Sequence, residues 1–213
     1  TWVVDSIKYC WDRAISTQQT GFSFVSQSRS SLPDPVGGVV WYGVDDTYYT
    51  CYVPLYGGIY VIPEPFAVGK LSEFSWESAW WVFNFVSNYS NLAYSFMIED
   101  IQAVQSELEE ASLAQQPSIE KTALDLLEQD EERAVMFLTD YSVSNGERVY
   151  KRWKQLAEHL LTKYNDGYMK NEKGRPKDKG YPESWYRQVL RDKAGELRIS
   201  PKDSNAVDWK LVD

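Results

Sequence analysis

Ser75-Trp76-Glu77-Ser78-Ala79-Trp80-Trp81-Val82-Phe83-Asn84-Phe85-Val86-Ser87-Asn88-Tyr89-Ser90-Asn91-Leu92-Ala93-Tyr94-Ser95-Phe96-Met97-Ile98-Glu99-Asp100-Ile101-Gln102-Ala103-Val104-Gln105-Ser106-Glu107-Leu108-Glu109-Glu110-Ala111-Ser112 contains neither proline nor glycine. Nothing local stops a helix here. Val86, Tyr89, Ala93, Met97, Ile101, Val104 and Leu108 recur at spacings of three or four, which predicts one long helix with a buried stripe. Ser75 is placed to cap it, and Glu77 suits the positive end of its dipole. Trp76, Trp80, Trp81, Phe83 and Phe85 lie off the stripe, so the first half needs cover from several sides. Glu107, Glu109 and Glu110 want water, so the second half projects.

The sequence before this stretch reads as β structure. Trp2 to Trp11 gives two short strands around a turn at Asp5-Ser6. Gly21 to Arg29 alternates apolar and polar residues, the pattern of a half-buried strand. Leu32-Pro33-Asp34-Pro35 is a rigid turn. Gly38 to Val44 is a near-continuous apolar strand, expected to be covered on both faces. Asp45-Asp46-Thr47 turns the chain, and Tyr48 to Tyr56 returns, extended by Ile59 to Ile62. After the long helix, Gln115 to Ser118 predicts a break. A second helix follows over 119–141, and a third opens with a capping box at Ser144 and Glu147. Asn165-Asp166-Gly167 ends that one. Lys170 to Lys179 reads as a loop, Pro182 to Arg191 as a short helix with Trp185 and Val189 inward. Trp209, Leu211 and Val212 could dock the tail. The expectation is an α+β fold, with a β-rich segment over 1–74 and helices over 75–213. Four or so strands are few for so apolar a β region, so the sheet reads as incomplete.

Net charge is −9 over 213 residues. That disfavours general binding to a phosphate backbone, so no nucleic-acid partner is expected. The most apolar window, Trp80 to Met97, carries Asn and Ser throughout and lacks basic flanks, so no membrane span is expected. The carboxylates between Trp76 and Gln116 read as a solvated face, and no Asp/Glu/His set has ligand spacing. No metal and no cofactor are expected. Cys10 and Cys51 can pair or stay free thiols. His159 is the only histidine; on a predicted helix between Glu158 and Leu160 it reads as a packed or surface imidazole, and neither a metal site nor a His-based triad is expected. Asn88-Tyr89-Ser90 matches a glycosylation acceptor, but inside a helix beside buried rings it is discounted.

Three stretches carry a resemblance. They are Arg13 through Arg29; Leu32-Pro33-Asp34-Pro35-Val36-Gly37-Gly38-Val39-Val40-Trp41-Tyr42-Gly43-Val44-Asp45-Asp46; and Tyr52-Val53-Pro54-Leu55-Tyr56-Gly57-Gly58. With the helix behind them, and with Ala157 through Tyr168 near the end, they resemble the C-terminal part of the C69 family dipeptidases. These are cysteine-dependent N-terminal-nucleophile hydrolases, akin to penicillin and bile-salt amidases. The resemblance implies an αββα sandwich, to which these strands contribute, followed by a helical subdomain. It also implies a thiol nucleophile on an N-terminal Cys whose own α-amine is the base.

Cys10 lies inside the matched C-terminal part and Cys51 in a strand, so neither takes that role. No catalytic residue is assigned here; the nucleophilic Cys is expected upstream. The chain is thus expected to be a fragment, inactive alone, partnered by the N-terminal part of the same enzyme, with a short peptide as substrate of the whole. Thr1 has the residue type of other N-terminal nucleophiles, but is read as merely the first residue given. Asp45 and Asp46, for a substrate amine, and Arg29, for a carboxylate, are the substrate-pocket candidates. The alternative is a non-catalytic interaction domain using the aromatic helix. That helix is also a candidate interface for a homo-oligomer. The compartment, cytoplasmic or exported, stays open.

Overall fold

The computed structural model describes residues 2–12 and 14–198. It has mixed α and β structure with antiparallel sheets, an α+β fold. The chain divides into two compact units at Asn165/Asp166. Thr1, and the tail with Trp209, Leu211 and Val212, lie outside the described residues.

The first unit opens with a hairpin of β1 (Trp2–Val4) and β2 (Ile7–Tyr9). Asp5 and Ser6 both have positive φ, 50° and 64°. Two left-handed residues make the turn whose twist matches paired strands. A three-stranded antiparallel sheet follows: β3 (Phe22–Ser28), β4 (Gly38–Val44) and β5 (Val53–Tyr56), in that order. The Leu32–Pro35 turn winds on into a four-residue helix, α1 (Asp34–Gly37). The return strand is shorter than expected. Asp46 accepts from Tyr48 N at 3.1 Å and Tyr49 N bonds back to Asp46 O, so residues 47–52 are a loop. Residues 59–62 do not extend the sheet.

Register assigns the two faces. Phe24, Tyr42 and Val53 are directly opposite one another, as are Ser26, Val40 and Leu55, so these share a face. The other face carries Val39, Trp41 and Tyr56. It packs with Ala123, Leu138, Ile119 and Phe137 in one apolar cluster. Hence the β-rich segment and the helices beyond residue 74 share a core. β4 is partly covered on both faces: Val39 and half-buried Trp41 lie on the helix side, and half-buried Val40 and Tyr42 and buried Val44 on the other. β3 is not half-buried as its alternation implies: Phe22 is 57% and Phe24 58% exposed. It is an edge strand, and its Phe22 ring is met by Tyr42, stacked at 5.9 Å.

The long helix of the sequence reading is two helices, α2 (Ala79–Ser90) and α3 (Tyr94–Leu127). Ser90 Oγ donates to Ser87 O and Asn88 Nδ2 to Asn84 O, at 2.8 Å each. Such side-chain bonds compete with the helix ladder, and this Asn/Ser-rich end turns away before Ala93. The stripe survives, with Val86, Met97, Ile101, Val104 and Leu108 buried.

The expected break at Gln115–Ser118 does not occur: α3 runs through Pro117. An interior proline costs about 3 kcal/mol. Core packing of Ile119 and Ala123 and the ties of Glu120 offset it. Nor does a helix open at Ser144. The true boundary is at Asp130, which caps α4 (Glu131–Tyr164) by accepting from Glu132 N and Arg133 N. Gly146, inside α4, lets Pro63 lie against the helix backbone; a Cβ there would sit 2.9 Å from Pro63 Cβ.

In the second unit, the expected loop is a hairpin, β6 (Tyr168–Lys170) and β7 (Pro176–Asp178). Asp166 and Gly167 have positive φ where α4 has ended. The last helix, α5 (Glu183–Leu197), is longer than predicted, and its Trp185 is exposed rather than inward.

Candidate functional site

Asp45 ends β4 with φ of +66°, in the left-handed region that Asp tolerates. That conformation puts its carboxylate under α2. Asn84 Nδ2 donates to Oδ1 at 2.8 Å and Ser87 Oγ to Oδ2 at 2.7 Å. Asp45 is 1% exposed. Burial raises its pKa, against the lowering effect of those two donors. It is thus a tie between sheet and helix with both oxygens engaged. Asp46, beside it, is also buried, and among the described residues its carboxylate accepts only from Tyr48 N, through Oδ1.

Arg29 lies at the opposite end of the β3–β4 ladder, eight residues along from Asp45 and so roughly 25 Å away at about 3.3 Å per residue. Its guanidinium forks onto Glu120 at 2.8 and 2.7 Å, and also donates to Val36 O and Gly37 O. The three candidates do not form one pocket. The aspartates come together; Arg29 does not join them.

Behind Asn84 the same helix walls a cavity of about 370 Å³, lined by Phe74, Trp81, Asn84, Phe85, Asn88, Tyr89 and Leu92. Its walls hold one another: Phe74 meets Trp81 edge-on at 5.6 Å, and Phe85 stacks on Tyr89 at 5.3 Å. Trp81 Nε1 donates to Lys70 O at 2.9 Å, which fixes the indole. The sequence reading assigned these rings to a core. Their spacing along α2 does not distinguish a ring that packs inward from one that lines an open cavity.

Cys51 is buried, and burial, followed by the nearby Glu109 carboxylate, pushes its thiol pKa up. A thiol held protonated is a poor nucleophile. Cys10 is exposed and unpaired. Glu109 accepts from Tyr52 N at 2.9 Å, and burial raises its pKa as well. His159 Nε2 stands 3.5 Å from Asp100, which also receives Lys163 and Tyr164. Among the described residues, no group of three or more His, Cys, Asp and Glu is arranged to hold a metal ion. No helix among them is long and apolar enough to cross a membrane.

The family model of peptidase family C69 matches residues 4–107. This chain is related to the C69 peptidases. The C69 stretch runs from the first hairpin into α3, and contains the sheet, both aspartates, Arg29, α2 and the whole aromatic cavity. The rest of α3, α4 and the second unit lie outside it. No curated protein matches the chain.

Proposed function

We propose that residues 1–213 are the rear part of a cysteine-dependent dipeptidase with the N-terminal-nucleophile sandwich. The nucleophilic thiol and the facing strands come from a preceding part of the same enzyme. One observation carries this reading. The face that carries Phe24, Tyr42 and Val53 is covered only at one end: Val53 and Val44 are buried and Tyr42 meets Phe66, while Phe22 and Phe24 on the edge strand are 57% and 58% exposed beside half-buried Val40 and Leu55. In a four-layer αββα arrangement that is the face a second sheet covers, about 10 Å away. The match to peptidase family C69 supports peptide hydrolysis; in the proposed enzyme a thiolate attacks the peptide carbonyl, and donors hold the oxyanion.

In that enzyme the present chain builds the wall beside the sheet end. Of the three substrate-pocket candidates, Asp46 is best placed to meet a peptide amine. Asp45 is spent on Asn84 and Ser87, and Arg29 on Glu120. Asp46 keeps an oxygen with no partner among the described residues.

The test is reconstitution. The part of the open reading frame preceding Thr1 is expressed separately, processed to an N-terminal Cys, and mixed with residues 1–213. Dipeptide hydrolysis sensitive to thiol reagents is expected of the mixture and of neither part alone. Hydrolysis with a thiol-sensitive burst by residues 1–213 alone would overturn the assignment of the nucleophile. An independent, cooperatively folded monomer that gains nothing from the other part would favour an interaction domain instead.

A further inference from the structure

We propose that the aromatic cavity on α2 is a binding site for one aromatic or branched apolar side chain of a short peptide. Its volume, about 370 Å³, falls in the range of small-molecule sites and is too small for a helix or strand of a partner protein. Its lining follows the composition such sites favour. Phe74, Trp81, Phe85, Tyr89 and Leu92 supply apolar wall, and Asn84 and Asn88 supply amides that can meet a peptide group. No charged residue lines it, so a Lys or Glu side chain would lose hydration there without a partner.

The rings are placed before any ligand arrives. Trp81 is anchored on Lys70 O, Phe74 abuts both Trp76 and Trp81, and Phe85 is held between Trp76 and Tyr89. Side chains already fixed lose little freedom on binding. The cavity is joined to Asp45 through Asn84, which lines one and donates to the other. A peptide held by its side chain in the cavity is thereby kept one residue away from Asp45. The choice of a peptide as ligand rests on the peptidase reading above; the cavity's preference for apolar over charged groups does not.

The experiment uses residues 1–213 with four probes: N-acetyl-phenylalaninamide, N-acetyl-leucinamide, N-acetyl-alaninamide and N-acetyl-lysinamide. The readout is the indole N–H resonance of Trp81, assigned by its loss in Trp81→Phe. The phenylalanine and leucine amides should shift it with dissociation constants about tenfold lower than the alanine amide, as expected for burying most of a large side chain. The lysine amide should leave it unmoved. Leu92→Trp, at an exposed rim position, should block the response and leave the thermal midpoint unchanged. Equal shifts by all four probes would overturn the proposal. So would undiminished binding in Leu92→Trp, or a Trp81 shift that follows protein concentration without ligand, the mark of a second copy in the cavity. Because binding is read on this chain alone, a failed reconstitution leaves it standing, and failed binding leaves the hydrolysis result untouched.

Discussion

Removing either partner of the Arg29–Glu120 pair should destabilise the chain by about 3 kcal/mol. The pair is bidentate, and its side chains are only 23% and 13% exposed. Arg29 adds bonds to Val36 O at 2.9 Å and Gly37 O at 3.4 Å; Glu120 also accepts from Gln116 at 2.8 Å and Tyr56 at 3.3 Å. Truncation therefore leaves a charge, mostly out of water, facing groups that have lost their partner. Most of the cost comes from that stranded charge. The double variant Arg29→Ala/Glu120→Ala should accordingly lose about as much as either single one, with a coupling energy of about 2–3 kcal/mol. In urea, at a slope of roughly 2–3 kcal/mol per molar, each single variant moves the midpoint down by about 1 M. Single losses under about 0.5 kcal/mol, or losses that simply add, would refute this account and return Arg29 to the pool of groups free to meet a substrate carboxylate.

Gly146→Ala should cost about 1–2 kcal/mol, because crowding against Pro63 outweighs the helix preference of alanine; thermal unfolding measures it. The carboxyls of Asp45 and Glu109 both have pKa values raised by burial. Each then binds its proton more readily folded than unfolded. The stability they contribute is full below the unfolded pKa and is lost as pH rises through the higher folded value. Urea midpoints from about pH 4 upward should show this decline, and Glu109→Gln should flatten it. Iodoacetamide should label Cys10 promptly and Cys51 only on unfolding, followed by mass spectrometry of peptides. Under the proposed function, Asp46→Asn should raise KM of the reconstituted mixture by about tenfold for free-amine dipeptides and leave N-acetylated ones unaffected.

The parts of the fold legible in the sequence are those whose cause is local. Asp5-Ser6 announces its turn because two adjacent residues supply it, and Asn165-Asp166-Gly167 ends α4 for the same reason. The buried stripe is legible because periodicity records which face is covered, whatever the helix ends do. The ends themselves are decided elsewhere. Pro117 should stop α3, but residues distant in sequence, Val39 and Tyr56, hold the next turns in place. Gly146 resembles a weak point until Pro63 is seen against it. The candidate site follows the same division. Asp45 and Asp46 stand out as acids at a strand end, yet Asn84 and Ser87, which consume Asp45, come from a helix some forty residues later. Asn84 carries no sequence signal that would separate it from Asn88 or Asn91.

One disagreement between sequence and structure has a different origin. The alternation in β3 puts Phe22 and Phe24 on one face and Ser23, Val25 and Gln27 on the other. The structure forms that strand in full register with β4, yet leaves Phe22 and Phe24 more than half exposed, although Val44 and Val53 on the same face are buried. Elsewhere the chain meets such patterns with cover: Val39 and Tyr56 find helices, and Val53 finds Pro63 and α4. Removing the remaining exposure of the two Phe rings from water is worth about 1–2 kcal/mol each. Under the proposed function, a second sheet supplies the cover these two rings lack. If so, Phe22→Ser/Phe24→Ser should cost this chain only the part of each ring already buried, about 1 kcal/mol apiece. The same change should abolish reconstitution. A double variant that unfolds the chain alone would mean that these rings already have their cover within it.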